Sequence, residues 1–308
     1  MKTNKLFFLL LIAAFTFFIV GCESDDDKEI NEFDVLSSYI EDNGLDWAND
    51  MAGWIVNLAD INTTDYFVLD IRQADHYNAE HIAGAVNATM GNMFDVIGKA
   101  NADKVLVVCY SGQSASYAHM LLRLKGIEAY VMKFGMSAFS ADHDKWTGKC
   151  SNQYANHANW VMDASATLPS FDYPELNTGE EKGEDILDER IQHAIDSWSN
   201  ILIGGGDVIA NPDAYAIYNY WANDDYMHYG HIKDAYQLTP KTLSTGANLA
   251  ALNPNETNVI YCWTGQTSAA VNAYLTVLGY TTKSLVFGVN SMIYDELTGH
   301  KWPKPYGG

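Results

Sequence analysis

The chain has 308 residues, 48% hydrophobic and 19% charged, which is enough for two globular domains of ordinary size. Its formal net charge of −21, with arginine only at positions 72, 123 and 190, excludes the basic footprint of a protein that grips a nucleic-acid backbone. An anion site in such a chain has to be built locally, from backbone N–H groups and helix ends.

In chain order, Lys2 and Lys5 precede an apolar run from Leu6 to Val20 that reads as a targeting segment, too short for a comfortable membrane span. It ends in Ile19, Val20, Gly21, Cys22, which resembles the lipobox of bacterial lipoproteins. That resemblance implies a signal peptide over 1–21, cleavage before Cys22, a lipid on Cys22, and an exported protein anchored by it to the membrane of the cell envelope. Residues 22–44 read as an acidic tether, with Glu23 to Asp27 at its start and a short amphipathic helix around Phe33 to Ile40.

A first domain over 45–150 opens with Trp47, Met51, Trp54, Ile55 and Leu58 at helical spacing, which predicts core-facing residues of a helix. A strand from Phe67 to Leu69 ends in Asp70, Ile71, Arg72, and a turn carrying His81 leads into Ala83 to Asn87. The strand Val105 to Val108 ends at Cys109, followed by a helix from about Ala115 to Lys125 with Gly126 as its cap, then a strand from Tyr130 to Lys133. Residues 151–185 lose the alternation and read as a linker.

A second domain over 186–308 repeats the pattern. It has a helix near Ile186 to Trp198, a strand at Asp207 to Ala210, a turn with His231, a strand ending at Cys262, and a helix from about Ser268 to Leu278 capped by Gly279. Strands alternating with helices predict the α/β class, with a parallel sheet covered by helices on both faces in each domain. Ligands in such sheets sit beyond the carboxyl ends of the strands.

One device occurs twice at that end. Cys109, Tyr110, Ser111, Gly112, Gln113, Ser114 and Cys262, Trp263, Thr264, Gly265, Gln266, Thr267 share the pattern C-x-x-G-Q-[ST] at an offset of 153, which Gly135 and Gly288 also share. A thiol is a nucleophile only as thiolate, and N–H groups curling toward the sulfur ahead of a helix N-terminus favour the anion without a basic side chain. Gly112 and Gly265 suit the positive φ angles such a curl needs, and Ser111, Ser114, Thr264 and Thr267 add hydroxyl donors.

With Cys22 assigned to lipid, the remaining thiols are Cys109, Cys150 and Cys262. Neither a disulfide framework nor a metal site or other cofactor is indicated, because no C-x-x-C spacing occurs. A cysteine phosphatase would need arginine six residues after its thiol, where Ala115 and Ser268 stand.

The segments L-D-I-R, H-I-A-G-A-V-N, C-Y-S-G-Q-S and F-G-M-S-A-F, and in the second half G-H-I-K-D-A, C-W-T-G-Q-T-S-A and F-G-V-N-S-M, resemble the ordered signatures of rhodanese-like domains in tandem sulfurtransferases. The resemblance implies two rhodanese-like domains that move sulfane sulfur from thiosulfate, mercaptopyruvate or a protein persulfide, through a cysteine persulfide, to a thiol or cyanide. Cys109 and Cys262 then stand as nucleophiles, and Tyr110 to Ser114 and Trp263 to Thr267 as the loops that hold the persulfide. Asp70, Arg72, His81 and His231 take structural support roles. Several positions depart from the family pattern. Neither loop carries a cation, so a weak hold on a small dianion is expected; Ala210, Asn211, Pro212 stand where D-x-R is expected, and Asp234 replaces Gly84. A non-catalytic binding or redox-sensing module is the alternative.

Overall fold

The computed structural model describes residues 30–51 and 53–303, so the expected signal peptide, Cys22 and the acidic run after it lie outside the described residues. The folded body begins with α1 (Glu32–Asp42), whose Asn31 cap accepts the Asp34 N–H at 3.2 Å. Phe33, Leu36 and Ile40 are buried, so the tether expected over 22–44 gives way to a packed helix at Glu32. Across Trp47 to Leu58 the chain makes turns and the short strand β1 (Ile55–Val56) instead of a helix. Parallel pairing with Val131 and Met132 gives this segment backbone partners and a place on the sheet edge that an isolated amphipathic turn would lack.

The first sheet is completed by β2 (Phe67–Asp70), α2 (Ala74–Ala79), β3 (Val86–Asn87), α3 (Met93–Ala100), β4 (Lys104–Val108), α4 (Gln113–Leu124) and β5 (Glu128–Met132). Its order is β1-β5-β4-β2-β3 and every pairing is parallel. Val105 to Val108 on the central strand are fully buried, which is why that strand reads as an unbroken apolar run rather than an alternation.

After a connection that contains β6 (Trp160–Val161) come α5 (Gly183–Ser197), β7 (Leu202–Ile203), α6 (Gly205–Ala210), β8 (Ala216–Asn219), α7 (Asn223–Tyr229), β9 (His231–Ile232), β10 (Tyr236–Gln237), β11 (Asn258–Tyr261), α8 (Gln266–Val277) and β12 (Thr282–Leu285). The second sheet runs β10-β8-β11-β12-β7, again all parallel, and read from its far edge it has the order of the first. The fold is thus α/β, with two parallel five-stranded sheets flanked by helices. The connecting segment is held to the second half by antiparallel pairing of β6 with β9.

The strand expected at Asp207 to Ala210 is the helix α6, and the strand itself is β8. Asp70 lies in register with Val108 just before the first thiol, and Asn219 lies in register with Tyr261 just before the second. The counterparts of Asp70 and Arg72 are therefore Asn219 and Trp221, not residues 210 and 212. Helices α4 and α8 begin at Gln113 and Gln266, two residues ahead of expectation, because the glycine before each already serves as the N-cap. These two helices pack against each other, and one apolar cluster joins Tyr117 and Leu121 of α4 to Ala270 and Tyr274 of α8. Among the described residues no helix is long and apolar enough to cross a membrane.

Candidate active site

Each thiol ends a central strand and faces the first turn of the helix that comes after it. Cys109 Sγ accepts the Gly112 N–H at 3.1 Å and the Ala115 N–H at 3.3 Å. Cys262 Sγ lies 3.3 Å from the Ser268 N–H and 3.5 Å from Ser268 Oγ, which is itself 2.8 Å from Ser284 Oγ. Gly112 at φ 86 and Gly265 at φ 75 supply the left-handed turn that aims these donors inward. Partial positive charge is thereby concentrated where a sulfur anion or a persulfide would sit. In the sequence Ser268 stands out only as the place of a missing arginine; its hydroxyl at the sulfur is legible from that same six-residue spacing.

The loop side chains do not all face the thiols. Tyr110 points away, its hydroxyl 2.5 Å from His76 Nδ1 and accepting the Gln73 N–H at 3.2 Å. Ser111 accepts the Trp146 indole N–H on its carbonyl at 3.2 Å. Trp263 is stacked between Trp221, at 3.9 Å between ring centroids, and His300, at 5.0 Å. Ser114 and Thr267 are half-buried on the first turns of α4 and α8. Gln113 and Gln266 are buried, and the amide oxygen of each reaches into the opposite half.

Asp70 and Arg72 form a buried ion pair, with the guanidinium Nε and Nη2 donating to the carboxylate at 2.7–3.1 Å. Arg72 Nη2 also donates to the Glu80 carbonyl at 2.7 Å and so closes the turn ahead of His81. His81 and His231 are stacked on Tyr77 and Tyr226, at 4.0 and 3.8 Å. Those tyrosines donate to the Ala85 and Ala235 carbonyls at 2.5 and 2.6 Å, so both turns are built alike and point away from sulfur chemistry. Burial pushes the His231 imidazole down from its ordinary value, with Asp163 acting against it. Asp234 takes φ 63 where Gly84 has φ 81, so an aspartate adopts the left-handed conformation at the position where the first half uses glycine.

The surroundings of the two thiols differ. Cys262 lines a cavity of about 190 Å³ together with Trp263, Thr264, Gln266, Thr267 and His300, and the first half contributes Ile55, Asn57 and Lys133. Lys133 comes directly after β5, and its N–H is fixed by the Val56 carbonyl at 2.8 Å. No carboxylate lies within ion-pair distance of its ammonium among the described residues; the ammonium stands 5.3 Å from the centre of the Phe134 ring. The cation missing from the loop sequence is thus brought in by a distant segment. In the other half Val286 takes the place of Lys133, its N–H bonded to Ile203 in the same way at 2.9 Å. A separate cavity of about 490 Å³ is lined by Val286, Phe287, Gly204 to Gly206 and Cys150, and no residue of the Cys109 loop is on its walls. Among the described residues no group of three or more His, Cys, Asp and Glu side chains is placed to hold a metal ion.

The rhodanese-like domain family profile matches residues 52–142. The thiosulfate sulfurtransferase GlpE of Coxiella burnetii is 34% identical over 85 residues, covering 27% of this chain and 79% of that protein. Its namesake from Shewanella oneidensis is 38% identical over 74 residues, covering 23% of this chain and 73% of that protein. Among solved structures, a probable thiosulfate sulfurtransferase is 14% identical with a TM-score of 0.30, over 76% of this chain and 96% of that one. A rhodanese-related protein from Thermoplasma volcanium is 22% identical with a TM-score of 0.27, over 29% of this chain and 93% of that one. The family match spans the segment that carries the buried Asp70–Arg72 pair and the first strand-end thiol, and with the GlpE similarity it shows that the chain belongs to the rhodanese-like family.

Proposed function

We propose that the chain is a tandem sulfurtransferase in which Cys262 is the working nucleophile and the first half completes its pocket. The observation that carries this reading is Lys133, a cation from the first half with no carboxylate partner among the described residues, on the wall of the Cys262 cavity. The Cys262 thiolate attacks the outer sulfur of an anionic donor such as thiosulfate. The S–S bond of the donor breaks, sulfite leaves with the bonding pair, and Cys262 carries a persulfide. A thiolate or cyanide then attacks the outer sulfur and releases the Cys262 thiolate, so no external oxidant or reductant enters the cycle. Lys133 offsets the donor's charge in a chain of net charge −21, and the Ser268 N–H and hydroxyl hold the sulfur anion between the two steps.

The test is thiocyanate formation from thiosulfate and cyanide by the full chain and by its Cys262→Ser and Cys109→Ser variants. Turnover is expected to vanish with Cys262→Ser and to persist with Cys109→Ser; retention of full turnover by Cys262→Ser overturns the assignment. Intact mass after incubation with donor is expected to rise by about 32 Da, the mass of one sulfur, and not to rise in Cys262→Ser. Cys109 is as buried as Cys262 and receives backbone N–H groups of its own, so the Cys109→Ser variant decides whether the first loop contributes to turnover. We further propose that Cys22 carries a lipid that anchors the protein to the cell envelope. Cys22→Ala is expected to move it from the membrane to the soluble fraction, and unchanged retention counts against the anchor.

A further inference from the structure

We infer that Gln113 and Gln266 are positioning residues that act in trans, each setting the geometry of the thiol loop in the other half. Gln266 Oε1 accepts the Phe134 N–H at 2.8 Å, and Gln113 Oε1 accepts the Phe287 N–H at 2.7 Å. Phe134 and Phe287 sit at φ 65 and φ 60, a left-handed conformation that a bulky side chain adopts only where its surroundings enforce it. The glutamine oxygens enforce it here, by satisfying a buried N–H that would otherwise have no partner across the interface.

The residues just after each phenylalanine grip a thiol loop from below. Met136 N–H donates to the Cys109 carbonyl at 2.8 Å and Ser137 N–H to the Tyr110 carbonyl at 3.3 Å. Val289 and Asn290 repeat this on Cys262 and Trp263, both at 3.2 Å. Fixing Phe134 therefore fixes the backbone of Cys109, and with it the Gly112 and Ala115 N–H groups aimed at the sulfur.

The other end of each glutamine holds its own loop. Gln113 Nε2 donates to Ser111 Oγ at 3.0 Å, and Gln266 Nε2 donates to Thr264 Oγ1 at 3.1 Å. Each amide thus bridges the loop it belongs to and the support of the loop opposite, across the α4–α8 contact. The glycine before each glutamine is also part of the device: a Cβ on Gly265 would stand 2.6 Å from Gln113 Oε1, and one on Gly112 would collide with the Gln266 amide. The repeated G-Q in the two loops therefore records a reciprocal fit between the halves.

This deepens the reading of both loops as thiol sites, and its test needs no sulfur donor, so failure of sulfur transfer and failure of the brace are separable. Alkylation of Cys109 and of Cys262 by iodoacetamide is followed separately by peptide mass spectrometry from pH 5 to 9, in the full chain and in Gln266→Met and Gln113→Met. Methionine keeps the length and loses the oxygen. Gln266→Met is expected to slow Cys109 alkylation at pH 7 by on the order of threefold to tenfold and to displace its pH profile. Gln113→Met is expected to do the same to Cys262. If each variant alters only the thiol of its own loop, or neither thiol, the inference is overturned. Should the buried substitutions fail to fold, hydrogen exchange at Phe134 is read in the Cys109→Ser, Cys150→Ser chain before and after carboxymethylation of Cys262. Faster exchange at Phe134 is expected as Thr264 and Gln266 are displaced; unchanged exchange overturns the coupling.

Discussion

The two thiol loops share a backbone and a reciprocal glutamine brace, and differ in the side chains at the strand end and six residues past the thiol. On the first side a buried ion pair, Asp70 with Arg72, supports the strand end; on the second, Asn219 and Trp221 take those positions and Trp221 instead extends a stack through Trp263 to His300. Six residues past the thiol, Ala115 offers only its N–H to Cys109, whereas Ser268 brings a hydroxyl to Cys262 as well. Lys133 lines the Cys262 cavity, and Val286 holds the matching backbone position in the other half. A duplicated scaffold has kept a backbone N–H at each sulfur, two at Cys109 and one at Cys262, and varied what surrounds it. In the proposed reading the first half is support and the source of a charge for the second.

Breaking the ion pair tests that division with the largest expected effect. Arg72→Trp leaves the buried Asp70 carboxylate without its cation, with only the backbone N–H of residue 72 still donating to it, and is expected to cost about 3–5 kcal/mol in denaturant unfolding. Asp70→Asn together with Arg72→Trp, which transplants the neutral arrangement of the second half, is expected to recover part of that loss. A double variant as unstable as the single one would show that the two strand ends are not interchangeable.

Next in size is an acid effect that separates the two helices. His119 of α4 is buried against Trp54, at 4.1 Å between rings, while Asn272 occupies the matching position of α8 and bonds the Ser268 carbonyl at 2.7 Å. Burial, with help from Arg123, holds the His119 imidazole well below its ordinary 6.5. Below that pH the unfolded chain binds a proton that the folded chain refuses. Stability contributed by the neutral ring is therefore complete above 6.5 and is lost as pH falls toward the depressed folded value, by up to about 1.4 kcal/mol per pH unit. His193 and His231, also lowered by burial, add to the same slope. Midpoints of urea unfolding between pH 5 and 7 measure it, and His119→Asn is expected to flatten it; an unchanged slope would remove His119 as its source.

Much of this fold is legible in the sequence because its signals are local. The apolar runs before Cys109 and Cys262, the glycines after them and the constant offset of 153 all lie within a few residues of the features they report. The misplacements come from pairing over distance. Asp207 to Ala210 has the composition of a strand, yet the Ala216 to Asn219 segment holds the sheet position, and only the register opposite Tyr261 reveals that Asn219 replaces Asp70. Trp47 to Leu58 has helical spacing, but β1 is decided by pairing with β5, some seventy-six residues away. Lys133 is ordinary in the sequence and becomes a wall of the Cys262 cavity only when the two halves meet. The cross-bracing role of the two glutamines is equally hidden, since C-x-x-G-Q reads as a single loop until both copies are placed face to face.

The Lys133 assignment gives an intermediate effect. Lys133→Ala is expected to lower kcat/KM for thiosulfate by about tenfold, or about 1.4 kcal/mol, mainly through KM. The loss should shrink as ionic strength rises, because added salt screens the charge in the parent as well. Val286→Lys, which places a cation at the matching position of the other half, is expected to leave turnover unchanged because Cys262 is the proposed nucleophile. A gain of activity dependent on Cys109 would show that the first loop lacks only a charge.

The finest distinction between the loops is the Ser268 hydroxyl. Ser268→Ala gives the second loop the residue of the first at this position and keeps the backbone N–H at 3.3 Å from the sulfur. The neutral thiol donates to Ser268 Oγ at 3.5 Å and the hydroxyl can donate to the sulfur only once it is an anion, with Ser284 competing at 2.8 Å, so the expected loss in turnover is small, about 0.5–1 kcal/mol or twofold to fivefold. Ser284→Ala frees the hydroxyl from that competition and is expected to raise the rate of persulfide formation slightly or leave it unchanged. If Ser268→Ala instead abolishes turnover, the hydroxyl holds the sulfur anion more strongly than the N–H groups, and the dipole geometry common to both loops is not what makes Cys262 reactive.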